Sequence, residues 1–355
     1  MSQRLKTGQL SEFEFDCSSL LKLQKCKEEI YFAHRKNPRR HELAIVGSSK
    51  KVSIDSDLRE FHITNNEIIQ LSSSLDCQTK ITVSGAINWS VSSQIHDRFV
   101  SKSFTFDSPT KEKIHGSIFL PESYSHESIS TTPIVLYVYG GPGVQLITDS
   151  FPRSQTWKHI CSRGYAVVSI DPRGTANRGL KFGSYIHKNP DDLEDETYHF
   201  GHVELNDQIL ALDHLKNTHP GLDFSRIAVS GWSYGGYLTL LAMAERNDVF
   251  RLGFSGAPVT DWQLYDTAYT ERYLNTPQNN SLGYQKSNII GRSAKFPDEP
   301  GRLFLFHGLK DENVVVENTT RLINELTEIG KPYVLQVFPN ERHGMRTPRF
   351  FSNIR

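Results

Sequence analysis

The chain has 355 residues, room for about two domains, and carries 40 Lys plus Arg against 40 Asp plus Glu, a formal net charge of zero. That balance offers no electrostatic footprint for nucleic acid or for an anionic membrane. The length allows at least one sizeable core, as a globular enzyme needs.

Residues 1–10 are polar and charged, without the apolar centre of a signal peptide, and no run approaches the roughly 18 apolar residues of a membrane span. The expected location is cytoplasmic. Cys17, Cys26, Cys77 and Cys161 are scattered, with no C-x-x-C pair and no histidine at metal-ligand spacing. They are expected to be free thiols, and neither a metal nor an organic cofactor is implied. The basic cluster at 36–41 reads as a solvated turn. Sequons beginning at Asn88, Asn279 and Asn318 would matter only in a secreted protein.

Residues 1–100 read as short β-segments, Ile30 to His34, Glu42 to Val46, Glu67 to Leu71 and Lys80 to Val83, separated by turn-rich pieces. Four strands amount to about one propeller blade. This region is expected to be a partial antiparallel β region, the remnant of a β-propeller. A helix is considered over Cys17 to Lys27.

Residues 101–355 change pattern. Phe104 to Phe106, Ile114 to Leu120, Pro133 to Tyr139, Tyr165 to Ile170, Arg226 to Val229, Leu252 to Ser255, Leu303 to Phe306 and Tyr333 to Val337 are apolar runs. Between the later ones lie helical stripes. Val203, Leu205, Ile209, Leu212 and Leu215 make one, and Val315, Leu322, Ile323, Leu326 and Ile329 another, stopped by Gly330-Lys331-Pro332. Alternation of this kind predicts an α/β fold with a mostly parallel sheet covered on both faces.

Within it, Gly231-Trp232-Ser233-Tyr234-Gly235-Gly236-Tyr237 joins a strand to a helix. Glycines two before and two after the serine permit a strained turn that lifts its hydroxyl above the sheet, so Ser233 is the candidate nucleophile. A serine needs a base, and the base needs a carboxylate to orient it. In folds of this kind both lie downstream, on loops after strands. His307-Gly308-Leu309-Lys310-Asp311-Glu312 follows one strand, and Asn340-Glu341-Arg342-His343 follows the next. Asp311 is the candidate acid, with Glu312 its competitor, and His343 is the candidate base. The backbone N–H of Tyr234 is a ready oxyanion donor. A second donor could be the hydroxyl of Tyr139, in Tyr139-Gly140-Gly141-Pro142, or that segment is only a glycine-rich turn with a buried tyrosine. Trp262, Tyr265, Tyr269 and Tyr273 crowd one segment and either wall a small apolar pocket or belong to the core. Arg173 reads as a structural ion pair.

These segments together resemble the catalytic part of the dipeptidyl peptidase IV family, within the prolyl oligopeptidase superfamily of serine peptidases. The G-W-S-Y-G-G-Y elbow carries the likeness, with Tyr139-Gly140-Gly141-Pro142, Ala257-Pro258-Val259, Tyr265-Asp266, Tyr269-Thr270-Glu271-Arg272-Tyr273, Asp311-Glu312-Asn313-Val314 and Glu341-Arg342-His343. It runs from about residue 100 to 348 and is most similar to the cytosolic branch of eight and nine. The resemblance implies an α/β-hydrolase fold and a triad of Ser233, Asp311 and His343, with Tyr139 and the Tyr234 amide as oxyanion hole. It also implies a small pocket lined by Val259, Trp262, Tyr265, Tyr269 and Val314, with Asn313 and Tyr265 near the substrate's amino end or carbonyl. The activity implied is release of an N-terminal X-Pro or X-Ala dipeptide through an acyl-enzyme. An esterase or acylaminoacyl-peptidase on the same scaffold, or an inactive truncated interaction protein, are the alternatives.

Three features depart from the family pattern. Only about one blade is expected before the hydrolase part, so the paired glutamates that hold a substrate's amino terminus are missing. An acidic stretch from Pro190 to Phe200 reads as an inserted surface loop. The family's closing helix, which contributes to its homodimer, has no counterpart after His343, so truncation is expected and dimerisation is in doubt.

Overall fold

The structure, a computed structural model, describes residues 3–7, 9–13, 19–26, 29–35, 39–45, 51–52, 57–64, 67–73, 77–85, 89–94, 99–127, 131–149, 155–187 and 199–345. From residue 99 onward, eight strands pair into one sheet. They are β1 (Phe99–Asp107), β2 (Lys113–Pro121), β3 (Thr132–Val138), β4 (Ala166–Asp171), β5 (Leu222–Trp232), β6 (Leu252–Gly256), β7 (Leu303–Gly308) and β8 (Val334–Phe338). Their spatial order is β1-β2-β4-β3-β5-β6-β7-β8. The β1–β2 and β2–β4 pairs are antiparallel, and every pair from β4 through β8 is parallel. Each of the eight apolar runs in the sequence forms one of these strands. β4 is buried along its whole length, as a central strand with both faces covered must be.

Parallel neighbours need crossovers, supplied by α1 (Gln155–Ser162), α2 (Leu180–Ser184), α3 (His202–Thr218), α4 (Tyr234–Glu245), α5 (Thr267–Leu274), α6 (Ser281–Ser287) and α7 (Glu317–Glu328). α4 is buried from Tyr234 to Ala244, lodged against β3, β5, β6 and α3. Leu238, Leu240, Leu241 and Met243 are each wholly enclosed, and such a side chain contributes roughly 1.5–3 kcal/mol by leaving water. The result is an α/β-hydrolase sheet, with the loops that carry the candidate site leaving the carboxyl ends of β3, β5, β7 and β8.

The amino-terminal region holds more strands than the four expected. Gln3–Thr7 and Gln9–Phe13 form a hairpin. Ser19–Cys26, Glu29–Arg35, Glu42–Ile45 and Lys51–Val52 form one antiparallel sheet, and Asp57–Ile63, Glu67–Ser73, Cys77–Gly85 and Trp89–Gln94 a second. Bulges explain two of the misses. A register shift between Leu58 and Glu60 leaves Leu58, Phe61 and Ile63 all buried although the first two are three residues apart, which spoils the two-residue period. A shift between Leu20 and Lys22 interrupts the strand that replaces the helix considered over Cys17 to Lys27. The two sheets share a core of Tyr31, Ala33, Leu43, Leu58, Phe61 and Ile63.

Two further readings change, and one sequon is placed. In the second helical stripe, Val315 and Ile329 flank α7 and stay exposed, while Leu322 and Leu326 are its buried apolar residues. Asn318 of the last sequon is fully buried, its Oδ1 accepting the Thr260 N–H at 2.9 Å. Residues 190–198 of the acidic stretch lie outside the described residues, but Phe200 at its end is no surface residue. Its ring packs 4.5 Å from that of Trp262, and its carbonyl accepts the Tyr237 hydroxyl at 2.9 Å.

Arg173 is an ion pair, as expected. It donates from Nε and Nη2 to Asp207 of α3 at 3.1 and 2.8 Å, its backbone N–H reaches the same carboxylate at 2.8 Å, and both side chains are fully enclosed. Removing one partner strands a buried charge. Asp207→Asn should therefore lower the unfolding free energy measured in urea by about 3–5 kcal/mol, and a loss below about 1 kcal/mol would contradict this reading.

Candidate active site

β5 runs on to Trp232, so the whole turn between strand and helix is compressed into Ser233. Its φ of 60° and ψ of −118° lie in a region that non-glycine residues avoid. Holding a serine there costs on the order of 1–3 kcal/mol and persists only where the surroundings over-determine it. They do. A Cβ on Gly231 would strike the Gly235 carbonyl, one on Gly235 the Val138 carbonyl, and one on Gly236 the Gly256 carbonyl. The Ser233 N–H donates to the Gly256 carbonyl at 2.8 Å, tying the turn to β6. Tyr234, the first residue of α4, has no partner within the helix for its N–H.

Parallel pairing of β7 and β8 brings the two downstream loops side by side, with Gly308 opposite Phe338. The Lys310 N–H donates to the Glu341 carbonyl at 3.0 Å. Across these loops His343 Nδ1 lies 2.8 Å from Asp311 Oδ2. A carboxylate only accepts, so Nδ1 carries the proton and Nε2 is the basic nitrogen. The other carboxylate oxygen accepts the N–H groups of Asn313 and Val314, both at 2.9 Å. Burial alone would raise the Asp311 carboxyl, but hydrogen bonds from His307 and His343 prevail and hold it well below the usual carboxylate range. Glu312, the competing acid, instead faces solvent and pairs with Arg342 at 3.0 Å.

Two contacts the sequence reading missed hold this pair. The Trp232 indole N–H donates to the His343 carbonyl at 2.7 Å, linking the residue before the elbow serine to the histidine loop. His307, fully buried, lies 2.8 Å from the Val314 carbonyl through Nε2 and 2.7 Å from Thr319 Oγ1 through Nδ1. Its Nε2 also stands 3.4 Å from Asp311. The available signal was position: Trp232 abuts the serine, and His307 lies near the end of β7, four residues before Asp311.

Tyr139 follows β3, whose pairing with β5 sets Val138 opposite Gly231 and brings the tyrosine beside the elbow. Its ring centroid is 6.1 Å from that of Tyr234. Burial, with Tyr265 and Tyr137 nearby, pushes its phenol up to about 12, so it stays protonated and able to donate. Positive φ at Gly140, 78°, lets the chain turn away immediately afterwards.

The aromatic segment begins with Asp261, whose side chain accepts the Gln263 N–H and caps a short turn over Trp262–Leu264. Asp266 then caps α5 by accepting the Tyr269 N–H at 2.8 Å. Val259, Trp262 and Val314 are almost wholly enclosed, whereas Tyr265 and Tyr269 are half-buried. Tyr265 and Tyr269 meet edge to face at 5.3 Å, and Tyr269 stacks on Trp262 at 6.4 Å. The Tyr265 hydroxyl donates to the exposed Asn313 side chain at 2.9 Å, joining this aromatic group to the acid loop.

The low position of Asp311 has a signed consequence. A carboxyl held low in the fold stabilises it at pH above the ordinary value of about 3.9, and that contribution is lost as pH falls below it. The stability gap between wild type and Asp311→Asn in urea should be widest near neutral pH and narrow towards pH 2. A gap independent of pH would contradict the assignment.

The prolyl oligopeptidase family model matches residues 151–353, more than half of the chain. Over 248 residues the chain is 41% identical to dipeptidyl peptidase 8 of Mus musculus and of Homo sapiens, an alignment covering 69% of this chain and 26% of each of those proteins. It is 36% identical over 215 residues to a probable dipeptidyl-aminopeptidase B of Arthroderma gypseum, covering 60% of this chain and 22% of that one. The matched stretch thus spans about a quarter of the length of these relatives. With the strained serine turn, the ordered acid and histidine loops and the sheet that aligns them, the chain belongs to the prolyl oligopeptidase family.

Proposed function

We propose that residues 101–355 are the catalytic domain of a serine peptidase that releases N-terminal X-Pro or X-Ala dipeptides, and that residues 1–100 are blades of a β-propeller. The observation that carries this reading is the 2.8 Å bond from His343 to Asp311, on a loop tied through Trp232 to the turn that holds Ser233 at φ 60°. Together these supply a base of defined tautomer and a nucleophile on a fixed backbone. The names of the relatives, dipeptidyl peptidase 8 and dipeptidyl-aminopeptidase B, support the dipeptidyl step.

In this mechanism Ser233 Oγ attacks the scissile carbonyl while His343 Nε2 takes its proton, and Asp311 stabilises the imidazolium that forms. The developing oxyanion receives the Tyr234 N–H and the Tyr139 hydroxyl. Collapse of the tetrahedral intermediate breaks the C–N bond, the leaving amine takes the proton from His343, and water then hydrolyses the acyl-enzyme by the same steps. Tyr265 and Tyr269 wall the pocket for the Pro or Ala side chain over Val259, Trp262 and Val314. Asn313, held by Tyr265, stands where the substrate's amino end or carbonyl would lie.

A Gly-Pro amide, its N-blocked counterpart and a simple acyl ester distinguish this activity from its alternatives. The free amide should be turned over fastest, and Ser233→Ala or His343→Ala should lower its kcat by about four orders of magnitude or more. Cleavage of only the blocked amide or the ester would point to an acylaminoacyl-peptidase or an esterase. A cooperatively folded chain that cleaves none of them would leave a non-catalytic interaction role.

A further inference from the structure

Beneath the elbow lies a carboxyl that the proposed chemistry does not use. Glu204, in the first turn of α3, is 1% exposed. One of its oxygens accepts the Tyr234 hydroxyl at 2.5 Å, and both lie 3.1 Å from the backbone N of Gly201, the residue just before the helix. Tyr234 is also the residue whose backbone N–H faces the proposed oxyanion. The stem of the glutamate abuts the other half of that site, because a Cβ added to Gly140 would stand 3.4 Å from Glu204 Cβ. Next along, a Cβ on Gly141 would meet Tyr234 Cγ at 2.7 Å and Tyr139 Cε1 at 2.9 Å. Three segments therefore converge on one side chain: the Tyr139–Gly141 turn after β3, the start of α4 and the start of α3.

We propose that Glu204 is a positioning residue for the oxyanion hole, anchoring the Tyr234 phenol so that the Tyr234 N–H and the Tyr139 hydroxyl keep a fixed separation. The inference rests on the peptidase reading above. Oxyanion donors act only if they are aimed before the charge develops, so a donor on the first residue of a helix needs that residue held at both ends. The backbone end of Tyr234 is held by α4. Its ring is packed among Phe200, Tyr237 and Trp262, at centroid distances of 5.5, 5.4 and 5.4 Å, and its hydroxyl is held by Glu204. Packing can restrain a ring, but only the polar bond fixes how far it slides along its own axis.

A carboxyl in this place is expensive. Burial raises it to about 7, against the pull of hydrogen bonds from Tyr234 and Gly201, and nearby Asp207 adds to the rise. A neutral acceptor of the same shape would bind the same two donors, which makes Gln the conservative replacement and Leu the one that deletes the anchor.

The test is steady-state kinetics on the Gly-Pro amide, with active sites titrated by a serine-directed phosphonate so that kcat refers to folded, competent molecules. Glu204→Leu should lower kcat per titrated site by about 10- to 100-fold with KM within about threefold of wild type, and Tyr234→Phe by about tenfold. Glu204→Gln should recover to within about threefold of wild type. The double variant Glu204→Leu/Tyr234→Phe should be no slower than Glu204→Leu alone, since both remove one bond. Should the Leu variant fail to fold, Tyr234→Phe and the Gln variant decide the matter. A kcat per titrated site within about twofold of wild type for Tyr234→Phe, whatever its melting temperature, overturns the proposal. An active wild type with indifferent variants removes this inference alone, whereas a wild type that neither labels nor turns over removes the peptidase reading on which it stands.

Discussion

The start of α4 comes so near to the ends of the strands on either side that no Cβ fits between them. Gly231, Gly235 and Gly236 would each meet a backbone carbonyl, of Gly235, Val138 and Gly256 respectively. Because the helix is enclosed from Tyr234 to Ala244 and cannot back away, the chain must reverse at one residue, and Ser233 takes the positive φ. The strain is local, and the apolar burial that enforces it is spread along the helix. Other features of the site depend on that contact. It sets the height of the serine above the sheet, leaves the Tyr234 N–H unpaired within the helix, and brings Tyr139 beside the elbow through the β3–β5 register.

Side chains then connect the remaining parts to this rigid centre. Trp232 reaches from the elbow to the His343 carbonyl, Asp311 reaches from the β7 loop to the imidazole, and Tyr265 reaches from the aromatic segment to Asn313. Behind them stands a fully buried layer in which His307 bonds to Thr319 and the Val314 carbonyl, and Asn318 of α7 accepts the Thr260 N–H. α7 thereby supports both the acid loop and the segment leading into Trp262 without contributing a group to the proposed chemistry. Loops built this way stay in register because each is fastened to a neighbouring strand end as well as to its own.

Much of this was legible in the sequence, for identifiable reasons. Most of the eight apolar runs are strands buried on at least one face, where pattern and structure coincide, while β8 at the sheet edge has no buried residue, and the elbow is marked by glycines that sterics require. The order of Ser233, Asp311 and His343 can be read because each candidate follows a strand. What stayed hidden depends on three-dimensional proximity. Glu204 and Phe200 lie some 30 positions before the elbow, with nothing in the local pattern to connect them to it, and only the packing of α3 on α4 brings them under Tyr234. The choice between Asp311 and Glu312 needed the direction of each side chain, one inward to His343 and one outward to Arg342. In the amino-terminal sheets, bulges break the two-residue alternation by which strands such as Asp57–Ile63 are recognised.

A strained turn of this kind presents one serine, Ser233, for attack. Mass-spectrometric mapping of the purified chain after reaction with a fluorophosphonate tests it most directly. One adduct per chain is expected, on Ser233, with labelling lost when the protein is unfolded first, because the activation belongs to the fold. Adducts spread over several serines, or equal labelling of the unfolded chain, would contradict it.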